Sequence, residues 1–301
     1  MRQQHQNVLS IKVPTSGTTT AAPHVPSERI LKAANESISI ISYPGQYPPV
    51  LLLHGNSSCK TVWTNQLAFL IDRRRAVIAI DLPGHGQSRD SPVPAATYSF
   101  PGYAKIASDI LDQLGVRSAD LVGWSLGGHI ALQLLATDPR VRSILVVGTP
   151  PVPLSKKSLA AAFHQSDAMD LAGKRQFTGT DARTYCALMM GGIEHVTPEL
   201  LAACQRTDGE ARYYMLQNGF AGYGINQRVA VERSCVPLCV VHGELEPFVR
   251  LDYLRDIAYR ALWGDKIWLM SRAGHAPHWQ FPHAFNELLM AFLQSVDASQ
   301  T

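Results

Sequence analysis

Residues 123 to 127 read Gly-Trp-Ser-Leu-Gly and fit the pattern GxSxG. A serine on a sharp turn between a strand and a helix projects its hydroxyl above the sheet, and small neighbours keep other chains clear of it. The helix that follows directs free N–H groups at the same point, so the amide of Leu126 could stabilise an oxyanion. The alternative is a glycine-rich helix start with a capping serine. The position between an apolar run and a helical pattern favours a nucleophile at Ser125.

A serine hydroxyl is a weak nucleophile at neutral pH, so it needs a base, and the base needs an acid that orients it. The late segment SRAGHAPHWQFPH contains His275, His278 and His283. We assign the base to His275, because it lies nearest to the end of the preceding apolar run; the other two are expected to be wall or helix-start residues. The segment ELEPFV offers Glu244 and Glu246 as the acid, and the spacing alone leaves that choice open.

The three late histidines also raise the possibility of a zinc site. The chain lacks the HxHxDH and HExxH patterns, and the intervening prolines disfavour a single helix that carries the ligands. We therefore predict no metal and no other cofactor. Earlier histidines, such as His54, His129 and His242, are expected to be packed or hydrogen-bonded core residues.

Composition excludes several classes of protein. The chain has 301 residues, of which 46% are apolar and 17% charged, which suits one large α/β domain with an insertion. The net charge is only +3, and the run Arg73 to Arg75 is predicted to be a solvated helix end, so no nucleic-acid partner is expected. Five cysteines without a CxxC pair favour a reduced, cytoplasmic protein. No apolar run approaches the ~20 residues of a membrane span.

The order of elements predicts the fold class. The runs ERILKAAN and SISIISY look like an antiparallel hairpin that turns at Asn35 and Glu36. Buried strands are predicted at VLLLHG, AVIAID, DLVGW and VRSILVVG, and again late in the chain at PLCVVHG and KIWLM, with helices between them. Strands that alternate with helices predict an α/β fold with a mostly parallel sheet and helices on both faces.

The strand pattern is interrupted from residue 151 to 235. We predict a helical cap there, over the carboxyl edge of a core formed by residues 28–150 and 236–297. Residues 1–27 are predicted to be a disordered or loosely packed extension. About a third of the large apolar side chains of the cap are expected to line a pocket for an apolar acyl chain, the rest packing the cap. These side chains, with two at the sheet edge, are Phe163, Phe177, Met189, Met190, Met215, Phe220, Trp124 and Phe248.

Several segments together resemble a known family. HGNSSCKTVW, DLPGHGQS, GWSLGGHI and AGHAPHW resemble the landmark segments of the α/β-hydrolase family, which implies an eight-stranded sheet. More narrowly, HGNSS, GTPPV, RTDGEAR, the run at residues 224–228, EPFV and AGHAP are similar to the α/β-hydrolase-fold N-acyl-homoserine lactonases. These enzymes open the lactone ring of bacterial quorum-sensing signals without a metal.

The resemblance implies roles for individual residues. The triad acid of these lactonases is a glutamate in an EPF segment, which corresponds to Glu246. Gly55 and Asn56 would line the oxyanion site opposite Leu126, and Tyr185 would contact the substrate. The segment TYCALMMGGIEH and His278, which stands where phenylalanine is more usual, depart from the pattern. These departures bear on the substrate more than on the type of reaction.

The sequence thus predicts a serine hydrolase that opens N-acyl-homoserine lactones through Ser125, His275 and Glu246. Its substrate would be a small molecule with an apolar acyl chain, and the substrate-binding residues would include Trp124, Tyr185, Met189 and Phe248. Three alternatives with the same triad stay open: a carboxylesterase, another lactonase and a carbon-carbon bond hydrolase. A further alternative is a hydrolase-fold receptor that binds a small lactone with little turnover.

Overall fold

A computed structural model describes residues 27–165 and 167–299. Within these residues eight strands form one sheet: β1 (Ser27–Ala33), β2 (Glu36–Tyr43), β3 (Val50–Leu53), β4 (Val77–Ile80), β5 (Ala119–Trp124), β6 (Val141–Val147), β7 (Leu238–Gly243) and β8 (Trp268–Met270). The strand order is β1-β2-β4-β3-β5-β6-β7-β8. The pairs β1–β2 and β2–β4 are antiparallel, and the other pairs are parallel. The predicted mostly parallel eight-stranded sheet is confirmed.

The helices cover both faces of this sheet. They are α1 (Thr64–Asp72), α2 (Pro94–Thr97), α3 (Phe100–Gln113), α4 (Leu126–Thr137), α5 (Lys156–Ala162), α6 (Asp167–Ala172), α7 (Gly179–Met190), α8 (Pro198–Arg206), α9 (Gly209–Phe220), α10 (Gln227–Arg233), α11 (Leu251–Arg255), α12 (Pro277–Gln280) and α13 (Pro282–Ser299). Short 3-10 helices lie at Lys60–Trp63, Ile193–His195 and Trp263–Asp265. One layer contains α3, α4 and α10, and another contains α1, α12 and α13.

The central strands are buried along their whole length. Every residue of β3, β4, β5 and β6 is buried. Parallel strands with helices on both faces have no solvent side, so they read as continuous apolar runs instead of alternating patterns. This burial places the hydrophobic core on both sides of β3, β5 and β6, and the loops at their carboxyl ends are held by rigid strands.

The first hairpin turns one residue earlier than predicted. Its two turn residues are Ala34 and Asn35, both with positive φ (46° and 68°). A two-residue hairpin loop commonly needs positive φ at both positions. Glu36 instead begins β2, where its buried carboxylate accepts hydrogen bonds from the hydroxyls of Ser91 and Thr97. Ser27, the last residue of the predicted extension, begins β1, and residues 1–26 lie outside the described residues.

The run of three arginines is not a fully solvated helix end. Arg73 follows α1 directly, and its side chain is partly exposed. Arg75 is buried, pairs with Asp297 of α13, and places its guanidinium 4.2 Å from the ring centre of Tyr47. The third arginine therefore ties the connection between α1 and β4 to the C-terminal helix.

The segment between β6 and β7 contains the six helices α5 to α10, and its described residues form no named strand. These helices agree with the helical pattern predicted for the cap, although its domain boundaries at residues 151 and 235 stay a prediction. In the part of the chain that the structure describes, no helix is both long and apolar enough to cross a membrane.

Candidate active site

Ser125 occupies a strained turn between β5 and α4. Its φ of 53° and ψ of −115° are unusual for a residue with a side chain. The backbone is held on both sides, because the Ser125 amide donates to the carbonyl of Val147 at 2.9 Å and the Thr149 hydroxyl donates to the Ser125 carbonyl at 3.0 Å. The strand-turn-helix setting predicted for the GxSxG motif is therefore present.

The glycines around Ser125 allow backbone segments to approach one another. A Cβ atom on Gly123 would lie 2.4 Å from the carbonyl oxygen of Gly127. A Cβ on Gly127 would lie 2.0 Å from the carbonyl oxygen of Leu53, and one on Gly128 would lie 2.1 Å from Oγ1 of Thr149. These distances are too short for any side chain, so the turn can pack against β3 and β6 only with glycine at these positions.

His275 and Glu246 form a buried pair beyond the ends of β7 and β8. Nδ1 of His275 lies 2.8 Å from each carboxylate oxygen of Glu246. Burial opposes ionisation of Glu246, but the charge and hydrogen bond of His275 and the amide of Phe248 outweigh it and hold the pKa of Glu246 below its usual value. An ionised carboxylate keeps the proton of His275 on Nδ1, so Nε2 carries the free lone pair.

The structure places Glu246, and not Glu244, beside His275. The carboxylate of Glu244 is exposed and accepts hydrogen bonds from the Ser271 hydroxyl and the Arg272 amide, both at 2.9 Å. These bonds keep it on the outer side of the loop after β7. Of the two carboxylates that the residue pattern left open, the fold buries Glu246 against His275 and leaves Glu244 exposed.

Trp124 positions His275 instead of lining the main cavity. It was predicted to bind substrate, but its side chain is fully buried. Its indole N–H donates to the His275 carbonyl at 2.8 Å. Gly148, with φ of 56°, makes room for the imidazole, because a Cβ there would lie 2.7 Å from Cε1 of His275. Trp124 precedes the turn while still in β5, so its side chain enters the core under the site.

The candidate nucleophile and base face one cavity. Ser125 and His275 both line it, together with Leu126 and Phe248. The Ser125 hydroxyl has no hydrogen-bond partner among residues 27–165 and 167–299. Contacts between nucleophile and base are often long without a substrate and shorten in its complex.

The loop after β3 carries Gly55 and Asn56, the residues expected at the oxyanion site. His54 accepts a hydrogen bond at Nε2 from the Leu82 amide (3.0 Å), which can only donate. Its Nδ1 therefore carries the proton and donates to the Gly55 carbonyl at 2.8 Å. Burial lowers the pKa of His54, which keeps the ring neutral. Asn56 on this loop lines the cavity together with Leu126, the first residue of α4, whose amide has no intrahelical acceptor.

Asn56 connects this loop to the segment above it. Its side-chain amide donates to the Ala172 carbonyl at 2.9 Å and to the Tyr185 hydroxyl at 3.2 Å, and its Oδ1 accepts from the Ser57 hydroxyl at 3.3 Å. Burial raises the pKa of Tyr185, so its hydroxyl stays protonated. Since that oxygen accepts from Asn56, its own proton is available to the cavity that Tyr185 lines.

The cavity has a volume of about 750 Å³ and lies between the carboxyl ends of the strands and α5, α6, α7 and α9. Four of the six apolar side chains predicted in the cap line it, which is more than the third expected: Phe163, Met189, Met215 and Phe220. The other two pack elsewhere. Phe177 lies under the guanidinium of Arg212 at 3.9 Å, and Met190 is buried in the core.

Sequence reasoning missed several cavity-lining residues. Tyr213 and Leu216 on α9 line it with Phe220, and spacings of three and four residues place them on one helix face. That periodicity was available as a signal. Nothing in the residue pattern distinguished Leu159 on α5 and Met169 on α6, which also line the cavity, from side chains that pack the helices together.

The remaining late histidines lie outside the cavity lining. His278 is buried, and its ring packs on Trp63 and Trp124 at centre distances of 4.3 and 4.9 Å. Burial holds its pKa well below the usual value. His283 is exposed near the start of α13. Within the described residues, no group of three His, Cys, Asp or Glu side chains is arranged to hold a metal ion.

The chain is similar to several hydrolases. A structure of the N-acyl homoserine lactonase AidH, a serine-to-glycine variant complexed with N-hexanoyl homoserine lactone, is 36% identical with a TM-score of 0.86 and covers 90% of this chain and 98% of that chain. Carboxylesterase YbfK of Bacillus subtilis (strain 168) is 26% identical over 263 residues, 84% of this chain and 83% of that protein. A 2-hydroxy-6-oxononadienedioate hydrolase of Pseudomonas sp is 26% identical over 268 residues, 81% and 87% of the two chains.

The model of the α/β-hydrolase fold matches residues 48–282, which include every candidate catalytic residue. The chain therefore belongs to the α/β-hydrolase family, and within that family it is similar to the N-acyl-homoserine lactonase AidH.

Proposed function

We propose that the protein is a serine hydrolase that opens the lactone ring of N-acyl-homoserine lactones. The observation that carries this proposal is the likeness to AidH, which extends over 90% of the chain at 36% identity. Structures of AidH hold N-hexanoyl homoserine lactone in a serine-to-glycine variant and N-hexanoyl homoserine in a glutamate-to-glycine variant. A serine and a glutamate are also two members of the triad proposed here.

The proposed reaction begins with Ser125. Nε2 of His275 removes its proton as the oxygen attacks the lactone carbonyl, and Glu246 stabilises the imidazolium that forms. The amides of Leu126 and Asn56 stabilise the oxyanion, at ~3 to 4 kcal/mol per donor. Collapse of the tetrahedral intermediate breaks the ring C–O bond, and the His275 imidazolium gives its proton to the leaving alkoxide. The acyl-enzyme that remains is hydrolysed by water with the same base.

A lactone differs from a linear ester because its leaving alcohol stays tethered. An intramolecular alcohol competes with water at effective molarities of ~10⁵ M or more when it is well oriented. We assign the role of holding this alcohol to Tyr185, since it lines the cavity and its hydroxyl oxygen accepts from Asn56, which leaves the hydroxyl proton to be donated. Both N–H groups of the Asn56 side chain are already used, by Ala172 and Tyr185.

The acyl chain would extend away from the lactone along the apolar wall. Phe163 and Phe220 contribute rigid rings to this wall, and Met189 and Met215 contribute flexible thioethers that adapt to chains of different shape. A cavity of about 750 Å³ is larger than a short acyl lactone needs. We therefore include medium and long acyl chains in the proposed substrate class.

The test measures ring opening by mass spectrometry with purified protein, a Ser125→Ala control and a chelator. Short-chain and long-chain N-acyl-homoserine lactones are compared with p-nitrophenyl butyrate. Multiple turnovers of the lactones that require Ser125 and persist with the chelator are expected. Turnover of the aryl ester alone would contradict the lactonase proposal.

Turnover of p-nitrophenyl butyrate alone would favour a carboxylesterase. The similarity to carboxylesterase YbfK makes this function the next candidate. Binding of lactones with no turnover of either substrate would indicate a receptor. Calorimetry on the unmodified protein distinguishes that case from an inactive preparation.

A further inference from the structure

His129 lies in the cavity wall one helical turn after Ser125. Its amide donates to the Ser125 carbonyl at 3.2 Å, which joins the first turn of α4 to the residue that precedes the helix. The imidazole stacks on Phe100 with ring centres 4.9 Å apart and an interplanar angle of 17°, and it lies 6.4 Å from the ring of Phe163. It is a polar group among apolar wall residues, and it lines the cavity directly.

Gln227 is held in one orientation by two backbone groups. The Val152 amide lies 3.4 Å from its Oε1, and its Nε2 lies 3.2 Å from the carbonyl of His129. An amide N–H can only donate and a carbonyl can only accept, so the oxygen and nitrogen of the Gln227 side chain cannot exchange places. Gln227 is fully buried, so water does not compete for these contacts.

This orientation determines the tautomer of His129. Nδ1 of His129 lies 2.8 Å from Oε1 of Gln227, and because that oxygen only accepts, Nδ1 carries the proton. Nε2 therefore holds a lone pair. Burial lowers the pKa of His129 to about 4, which keeps the ring neutral near pH 7. Nε2 has no hydrogen-bond partner among the described residues and is not sealed from the cavity.

We propose that His129 is a specificity-determining residue whose Nε2 accepts a hydrogen bond from a donor on the acyl part of the substrate. This inference rests on the proposed function and deepens it. The donor that varies between N-acyl-homoserine lactones is a hydroxyl at C3 of the acyl chain, whereas a 3-oxo group and an unsubstituted chain offer no donor there. The amide N–H, common to all of them, is the other source of the same chemistry.

The experiment measures kcat/KM for the 3-hydroxy, 3-oxo and unsubstituted lactones of one chain length. In the unmodified protein kcat/KM for the 3-hydroxy lactone is expected to be about tenfold higher than kcat/KM for the 3-oxo lactone, which corresponds to about 1.4 kcal/mol. His129→Phe retains the ring stacking but lacks the acceptor, so it should bring the ratio close to one. His283→Phe makes the same exchange on the exposed surface and should leave the ratio unchanged.

Gln227→Glu tests the tautomer itself. A carboxylate opposite Nδ1 favours the imidazolium form of His129, which turns Nε2 from an acceptor into a donor. The preference should then shift toward the 3-oxo substrate, whose carbonyl only accepts. A mere loss of packing in either variant lowers all rates without reversing their order.

Three outcomes decide the proposal. An equal loss for all three lactones in His129→Phe, without loss for p-nitrophenyl acetate, supports the proposal and identifies the amide N–H as the donor. The proposal is overturned if the ratios of kcat/KM between the lactones stay within twofold of the unmodified protein in both His129→Phe and Gln227→Glu, and if His129→Phe shows no selective loss for the lactones. If no lactone is opened, the proposed function fails, and p-nitrophenyl 3-hydroxyhexanoate compared with p-nitrophenyl hexanoate then tests His129 separately.

Discussion

Replacing Glu246 by glutamine should disable His275 without removing it. Oε1 of Glu246 accepts hydrogen bonds from the amides of Phe248 (2.9 Å) and Val249 (3.4 Å). Because those amides only donate, the carbonyl oxygen of a glutamine must take this place. Its NH₂ group then lies where Oε2 was, 2.8 Å from Nδ1 of His275. The carbonyl oxygen also lies 2.8 Å from Nδ1 and can still accept its proton, but the NH₂ group favours the tautomer protonated on Nε2, and no negative charge remains to stabilise the imidazolium.

A histidine that is partly protonated on Nε2, and that has no carboxylate beside its imidazolium, removes the proton of Ser125 poorly. We expect kcat to fall about 10⁴-fold, the size of effect produced by a wrong tautomer in a serine triad. That loss corresponds to about 5 kcal/mol in the activation barrier. KM should change little, since the cavity lining is retained. Glu244→Gln is the matched control, because the exposed Glu244 side chain bonds only to Ser271 and Arg272 among the described residues.

The assay measures kcat and KM for N-hexanoyl homoserine lactone and p-nitrophenyl butyrate. Thermal unfolding followed by circular dichroism checks that both variants fold. The reasoning is refuted if folded Glu246→Gln keeps more than a tenth of kcat on both substrates. A larger loss in Glu244→Gln than in Glu246→Gln would refute it as well.

Three further predictions concern the turn, the leaving group and pH. Gly127→Ala places a Cβ 2.0 Å from the Leu53 carbonyl and should cost up to about 3 kcal/mol of unfolding free energy in urea, whereas Gly179→Ala, with no atom within 4 Å, should cost almost nothing. Tyr185→Phe should lower kcat for a lactone about tenfold more than for a p-nitrophenyl ester, because nitrophenolate leaves without a hydrogen-bond donor; equal losses on both substrates would contradict this role. The pKa of His129 is about 4 in the folded protein and 6.5 in the unfolded chain. The contribution of the neutral His129 to folding stability is therefore present above pH 6.5 and is lost as the pH falls toward 4. Between pH 7 and pH 5 the free energy of unfolding, measured in urea, should therefore fall by about 2 kcal/mol less in His129→Phe than in the unmodified protein. An equal fall in both proteins would contradict the lowered pKa of His129.

Local sequence was sufficient where chemistry depends on neighbours in the chain. The GxSxG turn followed from residue types, since only glycine tolerates approaches of 2.0 to 2.4 Å between backbone segments. The buried strands were recognisable from their apolar runs. The hairpin turn was placed one residue late, because the sequence pattern did not show which two residues adopt positive φ, and Glu36 is held in β2 by Ser91 and Thr97 from a distant loop.

Local sequence was insufficient where the answer depends on the direction of a side chain. Trp124 was expected to meet substrate, but a residue still within β5 directs its ring into the core, where it holds the His275 carbonyl. Phe177 and Met190 have the same apolar character as Met189, yet only Met189 reaches the cavity. Periodicity indicates that a helix has an apolar face; it does not indicate what that face meets.

The sequence by itself determined the fold class and the strand-turn-helix setting of Ser125, because a glycine-flanked serine turn and parallel buried strands are specified by contiguous residues. Only the tertiary structure decided which carboxylate meets His275, and which hydrogen bonds set the tautomers of His54 and His129. Those features join residues that are 28 to 98 positions apart in the chain. Their distances and proton positions arise from packing, which no local pattern encodes.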